Sequence, residues 1–214
     1  IQALFFGDGG ITAIGANCFN MGVVMPYVAW WVYQAIGGST PLIANRRVVA
    51  AAIAGWVALT VGALVTAIEF GIQPMFFTDA SGTPLYAPYP LEVAIPAMII
   101  PHMLVASVIE GAVTALVIAY LQRSNQGALQ LNGAAATAGG ASAALSYRWL
   151  WVGLAVLAVA TPLGLLAPGT AWGEWGSDEF AALGLSAVPQ GLARLEGMWG
   201  APMADYEIGF LGNA

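Results

Sequence analysis

Long apolar runs, separated by short polar or glycine-rich stretches, dominate the chain. Four such runs cover residues 17–36, 48–70, 91–121 and 148–166. A transmembrane helix needs about 20 consecutive, mostly apolar residues, so each run is long enough to cross a bilayer. We interpret the apolar residues 1–6 as the end of a preceding helix. The pattern predicts an all-α, polytopic transmembrane helical bundle with about four full spans.

The regions between and after the runs differ in composition. Residues 71–90 are rich in Pro, Gly and aromatic side chains, which favours a packed cap. Residues 124–147 are of low complexity, which favours a flexible linker. Residues 170–214 carry six acids and one Arg and are too polar to span a membrane. We therefore interpret residues 1–169 as the transmembrane domain and residues 170–214 as an external, acidic C-terminal tail.

Composition and charge indicate a membrane protein and give it an orientation. The chain is 59% hydrophobic and 7% charged, whereas soluble domains carry about 25% charged residues. Four of its five arginines flank two of the loops. Arg46 and Arg47 lie between the first and second spans, and Arg123 and Arg148 lie at the two ends of the loop between the third and fourth. Because cytoplasmic loops are enriched in Lys and Arg, we expect those two loops, including 124–147, to be cytoplasmic. The chain is then a multi-pass protein of the cell's inner (plasma) membrane, and it lacks the basic footprint of a nucleic-acid-binding protein.

A polar, glycine-rich stretch at residues 6–26 stands between apolar segments. Asp8, Thr12, Asn17 and Asn20 fall within thirteen residues of it, among five glycines. A membrane tolerates irregular polar backbone only where it is buried in protein or lines a polar cavity. We interpret the stretch as a re-entrant or broken segment that supports a polar site; the alternative is an ordinary external loop.

Three ionisable side chains lie in or beside the predicted spans. His102 and Glu110 are eight residues apart on one helix, which separates them by about 12 Å along its axis, so they cannot hold one ion together. Because such groups usually face the bundle interior, we interpret both as parts of a structural polar network between helices. Contact with a partner helix or with the path of an ion is the alternative. Glu69 lies close to an interface and is interpreted as a loop anchor.

The single cysteine, Cys18, cannot form a disulfide within the chain. We interpret it as a small, buried packing residue, with a reactive thiol as the alternative. No GxxxxGK[ST] phosphate-binding motif and no set of nucleophile, base and acid is present in the sequence. No catalytic residue is therefore assigned, and the chain is not expected to be an enzyme.

Several motifs resemble the signature of the CbiM/NikM family, the substrate-specificity subunits of energy-coupling-factor transporters for cobalt and nickel. Residues 2–12 read QALFFGDGGIT, and Asn17 and the FNMG of residues 19–22 follow. Further similar segments are TPLGLLAPGTAWGEWG at residues 161–176, PQGL at residues 189–192, and Asp205-Tyr206. The matches follow the family order over nearly the whole chain.

The resemblance implies that this chain is the C-terminal part of a subunit that captures Co²⁺ or Ni²⁺ from outside. In the family the ion is held by the N-terminal amine, the histidine after the initiating methionine and a histidine in an upstream glycine-rich loop. We therefore assign no metal ligand here and expect no cofactor to be bound by this chain alone. The residues expected to contact the substrate or to orient its ligands are Gln2, Asp8, Thr12, Asn17 and Asn20.

The resemblance also implies partners. Besides membrane lipid and the missing N-terminal segment, these are a transmembrane coupling subunit and ATPase subunits, which hydrolyse the ATP. The alternative from another class is a non-transporting structural or assembly subunit that retains this fold. The sequence favours neither cobalt nor nickel, because both ions accept the same nitrogen-rich sites.

Overall fold

The computed structural model describes residues 4, 13–124, 129, 151–153, 155–156, 180, 188–200 and 202. This part of the chain is mostly helical, and an isolated bridge between Thr78 and Pro84 is its only β feature. Two helices in it are long and apolar enough to cross a membrane, Asn45–Phe76 and Leu91–Ser124. The all-helical class is thus confirmed for the described residues. The span predicted at 148–166 and most of the acidic tail lie outside them, so four spans remain a prediction.

The first helical path consists of α1 (Ile14–Phe19), a first π segment (Asn20–Val24) and α2 (Met25–Gly37). From Ile14 onwards the polar stretch 6–26 is therefore helical and not a loop. Pro26 explains the π segment, because proline has no N–H and its ring clashes with the carbonyl four residues earlier, so the turn before it widens. Asp8 and Thr12 lie outside the described residues.

Helix α3 (Asn45–Gly71) packs against α2 and against both later long helices; a short α4 (Gln73–Phe76) follows it. Its buried residues, apart from Arg47, are all Ala or Gly. Such small side chains let helix backbones approach closely in lipid. The approach is tightest at Gly111, where an added Cβ would lie 2.6 Å from the Ala52 carbonyl oxygen.

The second long path consists of α5 (Leu91–Pro101), a second π segment (His102–Ala106) and α6 (Ser107–Ser124). Pro96 and Pro101 lie inside α5, and the second π segment begins directly after Pro101, not in the turn before it. Two hydrogen bonds connect this second path to α3. Trp56 Nε1 donates to the Met103 carbonyl at 3.0 Å, and Thr60 Oγ1 donates to Ser107 Oγ at 3.0 Å.

Each end of the bundle gathers segments that are distant in sequence. At the Asn45 end, Gln122 Nε2 donates to the Leu42 and Ala44 carbonyls at 2.8 and 3.0 Å, so the end of α6 lies beside the turn before α3. This brings together the regions that carry Arg46, Arg47 and Arg123. The side of the membrane that this end faces remains a prediction.

Segments of the 71–90 loop, of the tail and of the N-terminal region also contact one another. Leu192, in α7 (Gln190–Glu196), donates its N–H to the Leu85 carbonyl at 3.1 Å. Trp199 Nε1 donates to the Leu4 carbonyl at 2.9 Å. The loop itself is fixed by a Leu85 N–H bond to the Phe77 carbonyl at 2.9 Å and by an edge contact between the Phe77 and Tyr86 rings.

Cys18 is exposed, so its interpretation as a buried packing residue is wrong. The preference of cysteine for burial comes from globular proteins in water. It does not carry over to an apolar helix in lipid, where an outward-facing small side chain costs nothing.

Candidate functional site

Asn20 is the first residue of the first π segment and packs against α3 with only 3% of its surface exposed. The carbonyl of Asn20 accepts the hydrogen bond from Met25, five residues later, as a π turn requires. Turns of this kind inside α-helices occur frequently at functional sites. Here the turn coincides with the burial of a polar side chain.

The Asn20 amide is held by two residues of α3. Its Nδ2 donates to Thr66 Oγ1 at 3.0 Å and to Glu69 Oε2 at 2.7 Å, and Thr66 Oγ1 in turn donates to the Gly62 carbonyl at 3.0 Å. Thr66 and Glu69 are three residues apart, hence neighbours on one face of the helix. We call Asn20, Thr66 and Glu69 the Asn20 cluster.

These bonds determine which way the Asn20 amide points. Asn20 Nδ2 donates to Glu69 Oε2, so the nitrogen of the amide is the atom that faces Glu69. Both amide hydrogens are then used. Within the part of the chain that the structure describes, Asn20 Oδ1 is buried and has no hydrogen-bond partner.

An acceptor in that state is unusual. More than nine in ten buried polar groups in native proteins have a partner, and leaving one without costs about 1–3 kcal/mol. Asn17 lies one turn before Asn20 on the same face of the helical path and is half-buried. The polar side chains of this region thus gather at the Gly71 end of α3. Gln2, Asp8 and Thr12 lie outside the described residues.

His102 and Glu110 find their hydrogen-bond partners within their own helical path. His102 Nδ1 donates to the Met98 carbonyl at 2.7 Å, since a carbonyl oxygen can only accept. Glu110 is exposed and accepts from Thr114 Oγ1 at 3.3 Å. In the described residues, the polar contacts between α3 and this path that we find are made by Trp56 and Thr60 instead.

Sequence reasoning missed Thr66 and assigned Glu69 only as a loop anchor. The available signal was the Thr66–Glu69 pair, polar residues spaced three apart at the end of an otherwise apolar helix. Across the described ranges, no group of three or more His, Cys, Asp and Glu is placed to hold a metal ion. What this part of the chain offers is the hydrogen-bonding groups of the Asn20 cluster.

The model of the CbiM family, described as the cobalt uptake substrate-specific transmembrane region, matches residues 1–128, more than half of the chain. The chain belongs to the CbiM family. The matched region contains the whole Asn20 cluster as well as Asn17, His102 and Glu110. The resemblance seen in the sequence motifs is thereby confirmed.

Named relatives of this CbiM-family chain are transport proteins. It is 47% identical to the fused nickel transport protein NikMN of Rhodobacter capsulatus, over 100% of this chain and 64% of that protein. It is 41% identical to the probable fused nickel transport protein LarMN of Lactiplantibacillus plantarum, over 84% of this chain and 50% of that protein. The chain therefore spans between half and two-thirds of the length of these relatives.

A solved structure supports the fold. A crystal structure of a truncated transition metal transporter superposes with a TM-score of 0.52 at 48% sequence identity, covering 57% of this chain and 56% of that one.

Proposed function

We propose that this chain forms part of the substrate-capture subunit of a Co²⁺ or Ni²⁺ transporter of the energy-coupling-factor type. The CbiM family is described as substrate-specific for cobalt uptake, and the relatives above are named for nickel transport. Since the sequence holds no phosphate-binding motif, the energy comes from ATP hydrolysed in partner subunits, transmitted by a transmembrane coupling subunit.

The observation that carries this proposal is the Asn20 cluster, inside the matched region. Apolar helices contain a buried amide whose acceptor is unused, next to a carboxylate and one turn from Asn17. Burying such groups is costly in any protein and more so in a membrane, where they mark substrate and ion pathways.

The ends of the bundle support capture from outside. Arginine-bearing segments meet at the Asn45 end of α3, while the cluster lies at its Gly71 end. With the positive end in the cytoplasm, the cluster faces the outer compartment. We propose the same side for the 71–90 loop and the tail, and the cytoplasmic side for residues 124–147, in a chain of four spans.

Radioactive Ni²⁺ or Co²⁺ uptake tests the proposal in cells that express the full-length protein with its transporter partners. Asp8→Ala and Asn17→Ala should each weaken uptake, because loss of a group that orients a metal ligand typically costs 10–100-fold. Asn45→Ala is the matched control, since Asn45 is exposed at the opposite end of α3 and should leave uptake unchanged.

Two results would contradict the proposal in different ways. Unchanged uptake in both variants, at equal protein levels, would remove Asp8 and Asn17 from the site. An absence of uptake by the parent protein, with all partners present, would instead favour the structural or assembly subunit.

A further inference from the structure

We propose that Asn20 Oδ1 accepts a hydrogen bond from the N–H of a nitrogen ligand of the captured ion, and that Glu69 fixes Asn20 for this task. Asn20 and Glu69 are then positioning residues: they touch the ligand or each other, and not the ion. This inference rests on the proposed function and adds to it how the site recognises its substrate's ligand shell.

The hydrogen bonds of the Asn20 amide fix the direction of its acceptor, Oδ1. Asn20 Nδ2 donates both of its hydrogens, one to Thr66 Oγ1 and one to Glu69 Oε2. If the amide turned over, Oδ1 would face the Glu69 carboxylate at the same short distance, oxygen against oxygen. Oδ1 is therefore held pointing away from these two partners on α3, buried and without a hydrogen-bond partner within the described residues.

The bond to Glu69 makes Asn20 Oδ1 a stronger acceptor. Hydrogen bonds in a chain polarise one another, and the effect is larger in a medium of low dielectric constant. The Glu69 carboxylate, bonded to Nδ2 at 2.7 Å, draws the amide hydrogen and shifts electron density towards Oδ1. An acceptor prepared in this way best suits a donor that carries partial positive charge.

The chemistry of the ion indicates which group donates to Oδ1. Co²⁺ and Ni²⁺ are well served by nitrogen ligands, and a ring nitrogen bound to a metal nearly always leaves a second N–H that an acceptor outside the metal's ligand shell must take. Binding to a dication makes that N–H more acidic, so the hydrogen bond is charge-assisted and strong. A buried, unused, polarised amide oxygen matches this donor.

The ligand itself comes from outside the described residues. The single histidine of the chain, His102, lies in the second π segment and uses its Nδ1 on the Met98 carbonyl. Asn20 instead belongs to the helical path that follows the glycine-rich residues 7–15 directly. The Asn20 cluster thus supplies the acceptor of this hydrogen bond, and the donor is the N–H of the nitrogen ligand that holds the ion.

The test measures ion binding by the full-length purified protein, with Ni²⁺ titrated calorimetrically and Co²⁺ followed through its visible absorption bands. Asn20→Leu keeps the volume of the side chain and removes the acceptor. It should weaken Ni²⁺ binding by about 10–100-fold and shift the Co²⁺ bands, because the ligand loses its orientation. Thr60→Val is the matched control: it also breaks a hydrogen bond between α3 and a neighbour, to Ser107, but away from the cluster. It should lower thermal stability and leave both readouts unchanged.

A double variant keeps the test decisive if Asn20→Leu does not fold. In Asn20→Asp/Glu69→Gln the new amide at position 69 donates to the new carboxylate at position 20, which still offers an oxygen to the ligand. It should bind Ni²⁺ close to the parent affinity, whereas Asn20→Asp alone sets two carboxylates against each other and should bind worse.

Three outcomes count against the inference. Unchanged affinity and Co²⁺ bands in Asn20→Leu would reduce Asn20 to a structural residue with a buried water. A folded double variant that fails to bind would show that the oxygen at position 20 does not serve the ligand. A parent protein that binds neither ion would contradict the proposed function itself, and is distinguishable because it needs no variant.

Discussion

Helix α3 and the α5–α6 path are similarly apolar, yet they have opposite surroundings. In the most apolar stretch of the helix Asn45–Phe76, 39% of the residues are buried, against 11% in the helix Leu91–Ser124. The buried face of α3 is made of Ala and Gly, whereas the α5–α6 path exposes large aliphatic side chains: Ile100, Leu104, Val105, Val108, Ile109 and Leu116.

The difference shows that in a membrane protein the size of the side chain, more than its hydrophobicity, indicates which helix is central. Lipid is as apolar as leucine, so association between helices depends on close backbone approach and on hydrogen bonds. The same contrast separates the two carboxylates. Within the described residues, Glu69 on α3 receives a hydrogen bond from a different helix, and Glu110 on α6 receives one from its own helix.

The largest effect is expected where the two helices touch. In Gly111→Ala the new Cβ would lie 2.6 Å from the Ala52 carbonyl oxygen, a backbone atom of α3 that cannot move aside alone. The helices must separate, at a cost of about 3 kcal/mol, the upper end of the usual range for overpacking. Thermal unfolding in detergent measures it. Gly15→Ala is the control, because no atom lies within 4 Å of an added Cβ there, and that change should be neutral or slightly stabilising. Equal losses in both variants would mean that α3 and α6 are not in close contact.

The second effect concerns the two carboxylates. Glu69→Leu should destabilise the protein by about 1–3 kcal/mol, because it leaves a buried Asn20 amide hydrogen without an acceptor. Glu110→Leu should change stability by less than about 0.5 kcal/mol, as for other exposed positions. The glutamine variants should lie close to the parent at both positions. Chemical unfolding in detergent provides the comparison, and a large loss in Glu110→Leu would place that residue inside a packed interface instead.

The smallest effect is expected in the loop that joins the two helices. Asp79 Oδ1 accepts bonds from the Ser81 and Thr83 N–H groups at 2.8 and 2.9 Å and from Ser81 Oγ at 2.6 Å. The Ser81 side-chain bond, followed by the backbone bonds, lowers the pKa of Asp79 below its usual value of 3.8. The loop therefore has its full stability above the unfolded-state pKa and loses this contribution as the pH falls through the lower folded-state value.

Amide hydrogen exchange at Ser81 and Thr83 measures this effect, as a function of pH from about 6 down to about 3. Protection should decline only below the unfolded-state pKa. Asp79→Asn should give weaker protection without that decline, since the amide oxygen still accepts but carries no charge. The same pH dependence in both proteins would assign the decline to another group.

The positions of the long helices were predictable from the sequence, because twenty-residue apolar runs have few other solutions in lipid. The predicted runs 48–70 and 91–121 correspond to α3 and to the path from Leu91 to Ser124. Neither π segment was predicted, since prolines signal a distortion but neither its form nor its position. Asn20 was selected as a polar residue, but Thr66 lies 46 residues away, and such a pair follows from helix packing that no local pattern encodes.

The hydrogen bond from Trp199 to Leu4 also sets a constraint on biosynthesis. Its partners are 195 residues apart, while those of the Asn20–Glu69 bond are 49 apart. At about 5–20 residues per second, the ribosome needs about 10–40 s to make the intervening chain. The Leu4 carbonyl therefore cannot accept this bond until the tail that carries Trp199 has been synthesised. The Asn20 cluster can form well before the hydrogen bond between Trp199 and Leu4.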